Sequence, residues 1–193
     1  TPENMTAKLE KWQQDSHIAS AGSYFVLLGI AQTYLGQHEQ ASISLKRVED
    51  YLTGLTDNVL KRQWFVFSAI NALQLHKQNK RSDITQILKI IAPILKQLQI
   101  WAKLGPLLRP YIAYLEAEVE SVTGSKESTI SKINQAIVLA SEQGYVLLKG
   151  HLHESLAEQF KGTDTIQTRK AIQQARLCYL ECHATQKSHL LSK

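Results

Sequence analysis

The chain has 193 residues, 44% of them hydrophobic and 20% charged, with 9 glycines, 4 prolines and 2 cysteines. That apolar share excludes wholesale disorder, and so few glycines and prolines exclude an all-β chain with its many tight turns. The formal net charge is +5, yet residues 1–100 carry 11 basic and 8 acidic side chains and 101–193 carry 11 and 9; with no basic arm, no nucleic-acid partner is expected.

Apolar residues recur at three- and four-residue spacing almost throughout, which is the helical signal. A first helix is predicted near 3–15, with Met5, Leu9 and Trp12 on one stripe after Pro2. The second runs about 18–36 and ends at Gly36; the third runs about 38–53 and stops at Gly54. A fourth follows Asp57, a good N-cap, to about Lys77. Ser82 or Asp83 opens a fifth to about Gln99, which Pro93 should kink. Gly105, Pro106 and Pro110 mark a break. Helices over about 109–123, 126–142 and 146–160 then end at Gly124, Gly144 and Gly162. The last starts near Asp164 and is drawn past Tyr179 toward the end of the chain.

Short loops make consecutive helices antiparallel, so the reading is a row of helical hairpins. Across residues 22–55, Leu28–Gly29, Ala31, Gly36, Ala41, Leu45 and Val48 stand at fixed offsets. Small residues at Gly29 and Ala41 let two helices approach, and Gly36 permits the turn between them. This segment resembles a tetratricopeptide repeat, with Gln32 where that repeat prefers Tyr and without its closing Pro. Residues 109–143 give a weaker copy through Ala117, Gly124, Thr129, Ile133 and Ala136. Residues 145–183 give another, with an insertion around Gly162–Thr165. Residues 57–99 hold a helical pair with almost none of the signature.

The last third carries a more particular pattern. Ala136, Ala140, Gly144 and Tyr145 are followed by Glu154, Ala157 and Phe160, then by Ala171, Ala175, Tyr179, Ala184 and Lys187. Over 55–60 residues this is similar to the end of the helical-repeat region in STAND-type signalling ATPases. Those proteins join an ATPase module to an adenylyl cyclase, a protein kinase or a histidine kinase; MalT-like regulators carry similar repeats. The resemblance implies a scaffold arm without chemistry of its own.

The motifs of common catalytic sites are missing. There is no G-x-x-x-x-G-K-[ST], no G-x-S-x-G and no H-E-x-x-H. His151 and His153 point about 200° apart on a helix, so they do not share a metal; Glu154 reaches His151 at i+3, and the segment reads as a solvated face. Cys178 and Cys182 share a face but suit a disulfide poorly, and read as reduced thiols packed like alanines. Glu116, Glu118 and Glu120 spread over two faces, with an exposed acidic strip expected from Glu116 and Glu120. Trp64, Phe65 and Phe67 span more than half a helical turn, so one of them is expected at a partner face.

The expected fold is all-α: an α-α superhelix, a tetratricopeptide-like solenoid of about four hairpins. It forms one domain over 1–193, cut from a larger protein because Thr1 is no initiator Met. The expected function is non-catalytic recognition of a protein or peptide by the arm of a signalling protein, in the cytoplasm. The alternative is a peptide or small-ligand sensor controlling an attached output domain. No cofactor, metal, membrane or catalytic residue is expected. The partner groove is placed at Val26, Ile30, Thr33 and Tyr34, with Phe67 and Asn71 beside them, and an uncapped end of the solenoid offers a route to a homodimer.

Overall fold

The computed structural model describes residues 8, 11, 18–55, 58–79 and 83–191. Among these residues all regular structure is helical, without a strand. In chain order the helices are α1 (Ile18–Tyr34), α2 (His38–Arg47), α3 (Asn58–Asn79), α4 (Ile84–Ala102), α5 (Arg109–Thr123), α6 (Lys126–Glu142), α7 (Val146–Phe160), α8 (Thr165–Glu181) and α9 (Thr185–Leu190). Single 3-10 turns follow α2 (Val48–Tyr51) and precede α5 (Pro106–Leu108). Apart from Lys8 and Lys11, the helix expected over 3–15 lies outside the described residues, as do the caps proposed at Asp57 and Ser82.

The chain divides into two compact units, Thr1–Asp83 and Ile84–Lys193. The sequence reading expects one array. The division falls inside the one segment, 57–99, that lacks the repeat signature: α3 belongs to the first unit and α4 to the second. Pro93 stands on an exposed side of α4 and does not end it.

In the first unit α3 packs against both α1 and α2. Phe25, Val26, Val48 and Leu55 form the core, closed over by Tyr24, Ile30, Tyr51, Leu52, Leu60 and Trp64. Gly29 is where α1 meets α2. A Cβ built there would lie 2.6 Å from Leu45 Cγ, well inside contact distance, and Ala41 beside it is fully buried. Gln32, the departure from the repeat pattern, accepts a hydrogen bond from Ser44 Oγ at 2.7 Å. The indole of Trp64 donates to the Leu45 carbonyl at 2.8 Å, an acceptor at the end of α2 that also takes the Val48 amide.

In the second unit each helix from α5 to α9 packs on the next. Ser125 caps α6 by accepting from the Ser128 amide, and Asp164 caps α8 by accepting from the Gln167 amide. Gly150 lets α7 close on α8: a Cβ there would lie 3.0 Å from the Tyr179 ring and 3.1 Å from Cys178 Cβ.

Side chains of the second unit meet at one constant interval, between α5 and α7 and from the start of α6 to the turn after α7. Glu118 accepts from Ser155 Oγ at 3.2 Å, 37 residues on, and Lys126 donates to Thr163 Oγ1 at 2.6 Å, again 37 residues on. Tyr114 meets His151 edge-on, with ring centroids 5.4 Å apart, at the same interval. The first unit repeats the arrangement at 33 residues, where His38 meets Asn71 and the rings of Tyr34 and Phe67 lie 5.4 Å apart.

Three helices end in the same turn. After α1, α6 and α8 the amide of Gln37, Tyr145 or Ala184 reaches back to the carbonyl of Gln32, Ala140 or Tyr179, at 2.9, 2.8 and 2.7 Å. Each turn is opened by a residue of positive φ: Gly36 (75°), Gly144 (70°) and His183 (58°). The sequence signals the two glycine turns. It does not signal the third, so the last helix does not run on to the end of the chain but breaks at His183.

Candidate functional site

The residues assigned to a partner groove lie inside the first unit. Val26, Thr33, Tyr34, Phe67 and Asn71 are buried, and Ile30 is half-buried against the core. Their side chains meet other residues of this chain. Thr33 Oγ1 donates to the Gly29 carbonyl at 2.8 Å. Asn71 closes a two-way clasp with α2: its Nδ2 donates to the His38 carbonyl at 3.0 Å, and its Oδ1 lies 2.9 Å from His38 Nδ1. With the amide nitrogen committed as donor, the proton of that second bond sits on His38 Nδ1. Of the three clustered aromatics, Phe67 is buried and Trp64 and Phe65 are half-buried, with ring centroids 4.8 Å apart.

The acidic strip expected on α5 is dispersed. Glu118 is only 1% exposed and takes the Ser155 hydroxyl. Glu120 pairs with Lys132 at 2.7 Å, and the hydrogen bonds from Lys132 and Ser128 hold its carboxyl below the usual range. Glu116 accepts from Gln99 at 3.2 Å. The three carboxylates therefore answer three separate neighbours.

The segment around His151 is not a solvated face either. His151 is buried, with its ring against Tyr114 of α5. Its Nδ1 stands 3.8 Å from Glu154 Oε1. That same oxygen accepts the hydroxyl of Tyr179 from α8. The other, Oε2, lies 2.9 Å from Lys187 Nζ of α9, and the ammonium sits 5.7 Å from the centre of the Tyr179 ring. Lys187 is 11% and Glu154 19% exposed. Burial pushes the Glu154 carboxyl up, but His151, Lys187 and the Tyr179 hydroxyl more than offset it, so it sits below the usual carboxylate range. Three helices, α7, α8 and α9, thus converge on one carboxylate. His153, two residues from His151, lies apart from this cluster; burial and the charge of Lys149 hold its imidazole below its ordinary value.

At the N-terminal end of α5, Tyr111 stacks obliquely on Tyr145, with centroids 5.4 Å apart. Burial, and secondarily Tyr145, push the Tyr111 phenol up to about 12. Cys178 is buried and Cys182 half-buried, both as free thiols, and burial raises the Cys178 thiol. Among the described residues no three His, Cys, Asp or Glu side chains gather as metal ligands do, and no helix is long and apolar enough to cross a membrane.

Sequence reasoning missed the Glu154 cluster as a unit. A signal for it was present: Glu154 and Lys187 are the two charged members of a pattern otherwise made of small and aromatic residues, Tyr179 among them. The geometry brings those three together and leaves the alanines between them at the helix contacts, where Ala140, Ala157, Ala171 and Ala175 are buried. In comparisons with known proteins, the chain matches no family model, no curated protein and no solved structure.

Proposed function

We propose that this chain is a tetratricopeptide-like helical-repeat arm, an α-α superhelix that serves recognition of a protein partner and carries no catalysis. The observation that supports this reading is the constant interval between touching positions. Side chains 37 residues apart meet between α5 and α7 and between the start of α6 and the turn after α7, and side chains 33 residues apart meet in the first unit. Such a register arises when hairpins of one kind stack in sequence, each burying its face on its neighbour. The arm of a STAND-type signalling protein is the context we favour, supported by the convergence of Glu154, Tyr179 and Lys187, three positions of the resemblance. Partner contacts then fall on side chains that stay exposed, not on the buried groove residues.

The test is the open reading frame around this segment. The reading expects an ATPase module in the same frame, with a cyclase, kinase or transcription-regulator output. A frame encoding neither would refute the signalling context and leave a free-standing adaptor.

A further inference from the structure

We propose that α9 is a releasable strap, docked on α7 and α8 through Lys187 and the buried Ser188 and able to leave them without unfolding the helices beneath. Its six residues are too few to hold a helix unaided. It follows a hinge, His183, whose φ of 58° is a conformation that L side chains adopt only under constraint. Its attachment is concentrated. Lys187 reaches Glu154 Oε2 at 2.9 Å and lies over the Tyr179 ring, and Ser188 is the buried residue of the strap. By contrast, α8 is 17 residues long and buries Ala171, Ala175, Cys178 and Tyr179. An enclosed ion pair of this kind adds little net stability but selects one geometry, and it is lost whole when the lysine leaves.

Amide hydrogen exchange on the full chain at neutral pH tests the strap. The amides of 188–190 should exchange at least about 100-fold faster than the central amides of α7 and α8, the mark of a local opening. Lys187→Met, which keeps the stem and removes the charge, should speed the strap's exchange by about tenfold. His183→Gly relieves the hinge at an exposed position and should slow it by about fivefold, with α7 unchanged. Strap amides that exchange in step with those of α8, or that ignore Lys187→Met, would overturn the proposal. Should Lys187→Met unfold the whole unit, His183→Gly decides alone: slowing confined to the strap supports it, and no change or a uniform change overturns it.

Discussion

Replacing Glu154 should damage the second unit strongly for a polar position. Glu154→Ala removes the acceptor of the Tyr179 hydroxyl and the counter-charge of Lys187, both enclosed. Breaking a fully buried pair from one side costs about 3–5 kcal/mol. Lys187 is still 11% exposed, on a six-residue helix, so its ammonium can swing to water once α9 lets go; that caps its share. The Tyr179 hydroxyl has no such escape and forfeits about 1–3 kcal/mol. We expect a loss of about 3 kcal/mol for Glu154→Ala. Glu154→Gln, which still accepts from Tyr179, should lose about half of that. Urea unfolding followed by circular dichroism measures both, and a cycle with Lys187→Met should return a coupling of at least about 1 kcal/mol. The pH dependence carries its own sign. A carboxyl depressed in the folded state binds fewer protons there, so its stabilisation is complete above the ordinary carboxylate range. It is then lost as pH falls through the depressed value, and Glu154→Gln should remove that part of the acid dependence. A loss below about 1 kcal/mol for Glu154→Ala, or no coupling to Lys187, would refute the reasoning.

Three further outcomes follow from single positions. Gly54→Ala would place a Cβ 2.8 Å from the Ala19 amide nitrogen and 2.9 Å from the Ile18 carbonyl carbon; backbone cannot move aside as a side chain can, so a loss of about 2–3 kcal/mol is expected in thermal unfolding. Asn71→Leu removes both bonds to His38 and leaves its ring nitrogen and carbonyl buried without them, at a cost of about 2–3 kcal/mol, read from the urea midpoint. Ultraviolet titration should find a tyrosine step at about 12 against an ordinary 10.0, and Tyr111→Phe should delete that step. Because the folded chain keeps that proton longer than the unfolded one, stability should fall as pH rises through this window.

Much of the secondary structure was legible because it rests on local chemistry. The helices expected over 126–142 and 146–160 have those bounds in the structure, set by Ser125, Gly144 and Gly162. Gly29 was legible for the same reason, since only a missing Cβ admits Leu45. His183 was not, because nothing in its side chain announces a left-handed turn. What imposes that turn is the bond from the Ala184 amide to the Tyr179 carbonyl and the docking of α9. The buried face of α1 was also hidden. Its sequence, IASAGSYFVLLGIAQTY, is apolar on nearly every side, so periodicity alone does not say which stripe faces outward. Val26 is fully buried while its neighbour Leu27 is 55% exposed, and only the arrival of α2 and α3 makes that choice.

The polar groups were the least legible, for a reason that also explains their arrangement. A carboxylate looks solvated when only its own helix is considered, since Glu116, Glu118 and Glu120 differ in nothing but register. Whether one of them is buried depends on what the neighbouring helices supply: Ser155 of α7 for Glu118, 37 residues on, and Tyr179 of α8 and Lys187 of α9 for Glu154. Burying such groups without those partners would cost more than a solvated surface position. In a stacked array the partner arrives with the neighbouring unit or not at all. Each buried carboxylate therefore tests whether the neighbouring helix sits in register, a demand that the buried alanines cannot make. Shifting α7 by one residue against α5 would part Glu118 from Ser155 and His151 from Tyr114. Those contacts select the register, and the apolar residues supply most of the stability.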